Sequence, residues 1–182
     1  MSLQKILERY EENCGNTTDI NENLPVLKKF ADKVDHITEF GVRTAQSTAA
    51  LLAGKPKKMI SYDIVNCRPH ELLKWAHEAG IDFDFICADT IQVVIEETDL
   101  LFIDTAHTYN QIKAELLLHG NKSRKYIIVH DTETYKEQDE HHGPGPGIWR
   151  PIVEFLSDNS EWSILEHHEN NNGMTVLVRE ST

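Results

Sequence analysis

The chain has 182 residues, 40% of them hydrophobic and 26% charged, which suits one soluble globular domain with a sizeable core and is short for two. Its formal charge of −12 argues against a nucleic-acid partner, because phosphate binding needs clustered Lys and Arg and the longest basic run is Lys55-Pro56-Lys57-Lys58. No apolar stretch approaches the roughly 20 residues that span a bilayer. Cys14, Cys67 and Cys87 are widely spaced, with no Cys-x-x-Cys pair, so they point to a reducing, cytoplasmic setting rather than to a disulfide framework or a zinc site.

Leu3, Ile6, Leu7 and Tyr10 recur at helical spacing over Leu3–Glu12, and the interleaved Lys5, Glu8 and Arg9 make this a helix rather than a secretion signal. Leu24–Val34 reads as a second helix, with Pro25 in its first turn, where a missing N–H does no harm. Strands and helices then alternate: strand Ile37–Val42, helix Thr44–Ala53, strand Met59–Asp63, and helix Pro69–Ala79 closed by Gly80. Phe83–Cys87 and Leu100–Asp104 are short apolar strands, with a weak helix expected near Ile91–Glu97 between them. Thr108-Tyr109-Asn110-Gln111 is a capping-box pattern that opens a helix to about His119. A fifth strand covers Tyr126–His130 and a helix covers Ile148–Leu156.

The ending differs. Trp162–His167 and Met174–Val178 are strands joined by a polar turn around Asn170-Asn171-Asn172-Gly173, too short for a parallel crossover, so they form an antiparallel hairpin. Five βα units followed by a hairpin predict an α/β, Rossmann-like, seven-stranded and mostly parallel sheet with helices on both faces.

In such a sheet ligands bind beyond the carboxyl ends of the strands. Two apolar strands here run into ionisable groups: Leu100 to Ile103 ends in Asp104 with His107 three residues on, and Tyr126 to Val129 ends in His130 and Asp131. Together they outline one site. The turn after the first strand keeps only Gly41, whereas a dinucleotide fingerprint wants three glycines around a pyrophosphate. A cofactor without phosphates fits better, and S-adenosylmethionine is the common one. Glu39 is placed to support its ammonium group, Asp63 its ribose hydroxyls and Asp89 its adenine amino group, although acids at strand ends also serve as plain helix caps.

With these residues in view, the chain resembles class I S-adenosylmethionine-dependent methyltransferases, in particular the branch of small O-methyltransferases and cephalosporin-hydroxylase-like proteins. The resemblance rests on Glu39-Phe40-Gly41 with Ser47-Thr48, Ser61-Tyr62-Asp63, Ala88-Asp89-Thr90, Asp99 to His107 with Tyr109, and Val129-His130-Asp131-Thr132. Gly147-Ile148-Trp149 and Asn172-Gly173-Met174 extend it, so it spans residues 37 to 179. It departs at Ala45-Gln46, where the family usually carries Gly-Gly.

The resemblance implies methyl transfer to a hydroxyl of a small molecule or sugar. It implies a cofactor site at Glu39, Gly41, Ser47, Asp63 and Asp89, a divalent metal (Mg²⁺ or Mn²⁺) on Asp104, His130 and Asp131, and His107 as general base. Residues 133–147, with His141-His142 and Gly143-Pro144-Gly145-Pro146-Gly147, then form a loop over the acceptor pocket, His141-His142 reading better as a solvated turn than as ligands. Expected partners are the hydroxylated acceptor and, with the oligomeric state left open, further copies of the chain. Two rival readings stand: a metal-dependent hydrolase using Asp104, His107, His130 and Asp131, and a cofactor-binding protein that has lost turnover.

Overall fold

The computed structural model describes residues 1–180. Helices α1 (Ser2–Gly15) and α2 (Leu24–Ala31) precede the alternating part. Then come β1 (His36–Phe40), α3 (Gln46–Ala53), β2 (Lys58–Asp63), α4 (His70–Glu78), β3 (Asp82–Cys87) and β4 (Thr98–Ile103). The chain continues through α5 (Tyr109–His119), β5 (Ser123–His130), α6 (Trp149–Asp158), β6 (Trp162–His168) and β7 (Met174–Arg179). The seven strands form one sheet in the order β3-β2-β1-β4-β5-β7-β6. β1 to β5 pair in parallel, and β7 runs antiparallel between β5 and the edge strand β6. The expected mixed sheet with its terminal hairpin is present.

Alternation along the strands divides the core into two layers. Ile37, Met59, Phe83, Leu100, Phe102 and Ile128 face the side covered by α1 to α4, while Leu101, Ile103, Ile127 and Val129 face α5 and α6. α3 sits deepest: every residue from Ser47 to Ala53 is buried, consistent with its nearly uniform small and aliphatic sequence. The second face has fewer helices, and the edge strand β3 shows Asp82, Asp84 and Ile86 to solvent there.

One expectation fails on that face. No α-helix forms at Ile91–Glu97; a single 3-10 turn at Thr90–Gln92 gives way to irregular chain. Val93, Val94 and Ile95 are β-branched and poor helix formers, and they alternate as extended chain does, with Val93 and Ile95 packed on the core and Val94 86% exposed. α3 also begins at Gln46 rather than Thr44, because Ala45 adopts a left-handed conformation (φ 61°, ψ 31°) that a helix cannot include.

Candidate functional site

The order β3-β2-β1-β4-β5 reverses between β1 and β4, which makes the C-terminal ends of these two strands the topological switch point. Gly41 follows β1 there with φ +87°, and a Cβ on it would stand 1.9 Å from the carbonyl oxygen of Asp104 after β4. Only glycine permits this approach. Two adjoining cavities open at the crevice. The larger, about 510 Å³, is lined by Gly41, Tyr62, Asp63, Asp89, Thr90 and Gln111, among others. The smaller, about 130 Å³, is lined by Ser47, His107 and Asp131, among others, and both share Gly41, Arg43, Asp104 and Thr105. A similarly sized groove between α5 and α6 (about 450 Å³) is remote from all of these residues and carries none of the strand-end acids.

In the larger cavity the Asp63 carboxylate accepts hydrogen bonds from the backbone N–H groups of Val42 and Arg43 (2.8 and 3.0 Å) and of Val65 (2.8 Å). Burial raises its pKa, but those amides outweigh it and hold Asp63 below the ordinary carboxylate range. Asp89 caps the Thr90–Gln92 turn, its Oδ1 accepting from Ile91 N at 3.1 Å, and still lines the cavity. The cap and the cavity-facing acid are thus the same residue.

Glu39 does not lie where the sequence reading puts it. It is fully buried, lines neither cavity, and accepts from the hydroxyls of Ser47 (2.7 Å), Thr48 (2.8 Å) and Ser61 (2.6 Å). Three hydroxyls from α3 and β2 surround it, so it ties the β1 end to its neighbours instead of reaching a ligand. Desolvation pushes its pKa up to about 7 against the pull of these bonds. Ser47, its partner, does line the smaller cavity.

The strand-end acids and histidines converge. His107 Nε2 lies 2.8 Å from Asp131 Oδ2 and 3.3 Å from Asp104 Oδ1, and ligand atoms from Asp104, His107 and Asp131 all fall within 4.8 Å of one another. His130 Nδ1 stands 3.2 Å from Asp131 Oδ2 and 3.5 Å from Asp104 Oδ1, not aligned for a hydrogen bond. Its other nitrogen, Nε2, donates to the carbonyl of Asn171 at 3.2 Å. Burial disfavours a charged ring on His107 and His130, yet the closeness of the Asp104 and Asp131 carboxylates overcomes it and raises both pKa values to about 10. The same contacts hold Asp104 and Asp131 below the ordinary carboxylate range despite their burial. Asp131 sits at φ +62°, a strained conformation that aspartate tolerates better than most side chains and that re-aims its carboxylate as β5 ends.

The loop after β5 folds back over this cluster. Tyr135 stacks on the His107 ring (centroids 4.6 Å apart, planes 2° from parallel), and Glu140 Oε2 accepts from His107 Nδ1 at 3.0 Å. Asp139 pins the loop to α5, its Oδ1 accepting from Tyr109 N and Gly147 N. His141 and His142 are exposed and stand outside the cluster. Half of the expected capping box forms, since Thr108 Oγ1 accepts from Gln111 N while the Gln111 side chain turns to Thr90 and Glu115. Sequence reasoning missed Tyr135, Glu140, Glu115 and the Arg43–Asp19 pair (2.7 Å) beside the crevice; only the histidine-and-acid content of the loop hinted at Glu140.

By sequence the chain matches no family model and no curated protein. Its structure does find neighbours. A Corynebacterium glutamicum protein solved by structural genomics superposes with a TM-score of 0.70 at 12% identity, over 100% of this chain and 90% of that one. An O-methyltransferase from Bacillus cereus, solved in complex with S-adenosylhomocysteine, gives 0.63 at 15% identity over 98% and 90%. The fold is that of the class I methyltransferases. The N-methyltransferase NodS from Bradyrhizobium japonicum also superposes, with 0.63 at 11% identity over 90% and 97%, so the shared fold leaves the acceptor atom undecided. Among the described residues no helix is long and apolar enough to cross a membrane.

Proposed function

We propose that the protein, acting as one domain, transfers a methyl group from S-adenosylmethionine to a hydroxyl oxygen of a small molecule or sugar, assisted by a divalent cation. The observation that carries this reading is a juxtaposition at the switch point. A cavity of about 510 Å³ faced by acids from the ends of β2 and β3 shares its wall with a cluster of two carboxylates and two imidazoles. The cofactor supplies an activated methyl on a sulfonium. The residues that would hold it are Asp63, whose oxygens keep free lone pairs beside their amide bonds, Asp89, Gly41 and Ser47, with Glu39 acting only through Ser47. Gly41 is the only glycine in the β1–α3 turn, which disfavours a pyrophosphate and hence NAD.

The cluster fits a cation on its own chemistry. His130 Nδ1 and Asp131 Oδ1 are buried without hydrogen-bond partners, a costly state that a ligated ion relieves. A bound divalent ion lowers the pKa of an acceptor hydroxyl and offsets the charge that develops on its oxygen. Asp104, Asp131 and His107 would hold it, with His130 beside them. The Glu140 carboxylate accepts from His107 Nδ1 and so leaves Nε2 as the ligating atom, the usual outer support of a metal-bound histidine. Mixed oxygen and nitrogen donors favour Mn²⁺ over Mg²⁺.

This assignment moves His107 from base to ligand. Its Nδ1 hydrogen is committed to Glu140 and its Nε2 faces the carboxylates of Asp104 and Asp131, which offers that nitrogen to a cation held between them. His107→Ala tests the point: a ligand's loss weakens Mn²⁺ binding and is rescued by excess ion, whereas a base's loss lowers kcat about 10²–10⁴-fold with ion affinity intact. For the function itself, calorimetry should show S-adenosylhomocysteine binding and NAD not binding. Transfer of labelled methyl to a panel of hydroxylated acceptors should stop in chelator and resume with Mn²⁺. Absence of S-adenosylhomocysteine binding would overturn the reading, and full activity in chelator would remove the ion from it.

A further inference from the structure

The turn between β6 and β7 touches both the ion cluster and the segment that joins α1 to α2, and Asn171 is the point of contact. Its backbone carbonyl accepts from His130 Nε2 at 3.2 Å and from Asn23 Nδ2 at 3.1 Å, which engages both lone pairs of that oxygen. Its side chain reaches the same segment twice: Oδ1 accepts from Glu22 N at 2.9 Å, and Nδ2 donates to the carbonyl of Thr18 at 2.7 Å. Asn23, fully buried, also donates to the carbonyl of Asn170 at 3.2 Å. A left-handed run, with Asn171 at φ 50°, Asn172 at φ 71° and Gly173 at φ 91°, gives the turn its shape. The segment held in this way forms part of the wall of the smaller cavity, through Asp19 and Ile20.

A carbonyl oxygen can only accept, so the bond from His130 keeps a hydrogen on Nε2 and leaves any lone pair of the ring on Nδ1. Nδ1 is the atom that faces Asp104 and Asp131, buried and without a hydrogen-bond partner. We propose that Asn171 is a positioning residue that ties the ion cluster to residues 18–23, so that an ion in the cluster and a closed segment favour each other. The inference rests on the proposed ion and goes beyond it, since neither the segment nor the turn supplies a ligand. With the segment in place, the Asn171 carbonyl is fixed and the His130 ring is aimed before an ion arrives. With the segment released, its bonds to Asn170 and Asn171 are lost and the ring is held less firmly. Coupling of this kind is reciprocal: the factor by which the closed segment tightens ion binding is the factor by which the ion disfavours its opening.

The experiment follows amide hydrogen exchange of residues 20–23 by mass spectrometry on the full chain, with and without saturating Mn²⁺, and measures Mn²⁺ affinity by titration, for the wild type and Asn171→Gly. Glycine keeps the left-handed turn and the backbone carbonyl and removes the side-chain bonds to Thr18 and Glu22. In the wild type, Mn²⁺ should slow exchange in this segment about tenfold, and Asn171→Gly should bind Mn²⁺ about tenfold more weakly, the lower end of what support behind a metal-bound histidine is worth. At Mn²⁺ levels that saturate the variant too, the slowing should be largely gone from it. A turn that only holds the fold together would move neither quantity. Unchanged Mn²⁺ affinity in Asn171→Gly overturns the inference, and so does slowing that persists in that variant at saturation. Wild-type Mn²⁺ binding with unchanged exchange overturns it as well, with the ion reading intact. Failure of the wild type to bind Mn²⁺ overturns the ion reading and this inference with it. Should Asn171→Gly not fold, unchanged exchange in the Mn²⁺-bound wild type overturns the proposal by itself.

Discussion

Glu39 on β1 and Asp104 just after β4 stand on neighbouring strands at the same end of the sheet, and their surroundings could hardly differ more. Glu39 is enclosed by three hydroxyls that satisfy it, and burial leaves it close to neutrality with a pKa of about 7. Asp104 shares its space with Asp131, His107 and His130, where opposite charges hold the carboxylates ionised and two buried polar atoms remain without partners. A satisfied buried acid is a fastening; the cluster instead leaves His130 Nδ1 and Asp131 Oδ1 without hydrogen-bond partners beside a strained backbone at Asp131, and on that the proposed ion site rests. The residue type at a strand end does not distinguish the two. The hydrogen-bond inventory around it does.

The contrast breaks most sharply at Asp104. Asp104→Ala is expected to lower kcat/KM about 10²–10⁴-fold, the worth of several kcal/mol of charge stabilisation, and to shift the Mn²⁺ dependence to higher concentration. A steady-state assay across ion concentrations checks it, and an unchanged rate with an unchanged Mn²⁺ dependence would argue against Asp104 as a ligand.

Glu39 should act on stability instead. Its pKa rises from 4.5 to about 7 on folding, so between those values the folded chain holds a proton that the unfolded chain has released. Its favourable contribution is complete below pH 4.5 and is lost as pH rises through about 7, at most ~3 kcal/mol in all. Glu39→Gln should flatten that part of the stability profile in denaturant melts at a series of pH values, while leaving ion binding alone. An undiminished slope would mean that other groups cause it.

A smaller effect is expected from Glu140→Gln, which keeps the shape of the contact to His107 Nδ1 but weakens its acceptor. Mn²⁺ affinity should fall about 10–100-fold by titration, with the melting temperature nearly unchanged. The smallest concerns Ala45, held at φ 61° in the turn after β1. Ala45→Gly removes the left-handed penalty of about 1–2 kcal/mol but adds unfolded-chain entropy of about 0.4–1 kcal/mol, for a net gain of up to ~1.6 kcal/mol in a thermal melt. A loss of stability would show that the alanine methyl packs to advantage there.

Much of this was readable in the chain. Apolar runs ending in Asp104 and in His130-Asp131 marked the two strands whose ends meet, and Thr108 marked the start of α5. The contact behind the proposed ligand role of His107 was not readable, because it depends on Glu140 arriving from a loop 33 residues away. Nor was the enclosure of Glu39, which needs Ser61 on β2 and Ser47 and Thr48 on α3 to point at one spot. The expected helix at Ile91–Glu97 failed because its weak periodicity was outweighed by three β-branched residues that alternate between core and solvent.

The sequence by itself determined the alternation of strands and helices, the closing hairpin and the strand ends that carry acids, since periodicity and turn chemistry are local properties of the chain. Tertiary structure alone decided which acids are satisfied and which are left open. That outcome depends on hydroxyls, amides and imidazoles brought together from distant segments, and on burial, which turns each missing partner into a cost that water would otherwise erase.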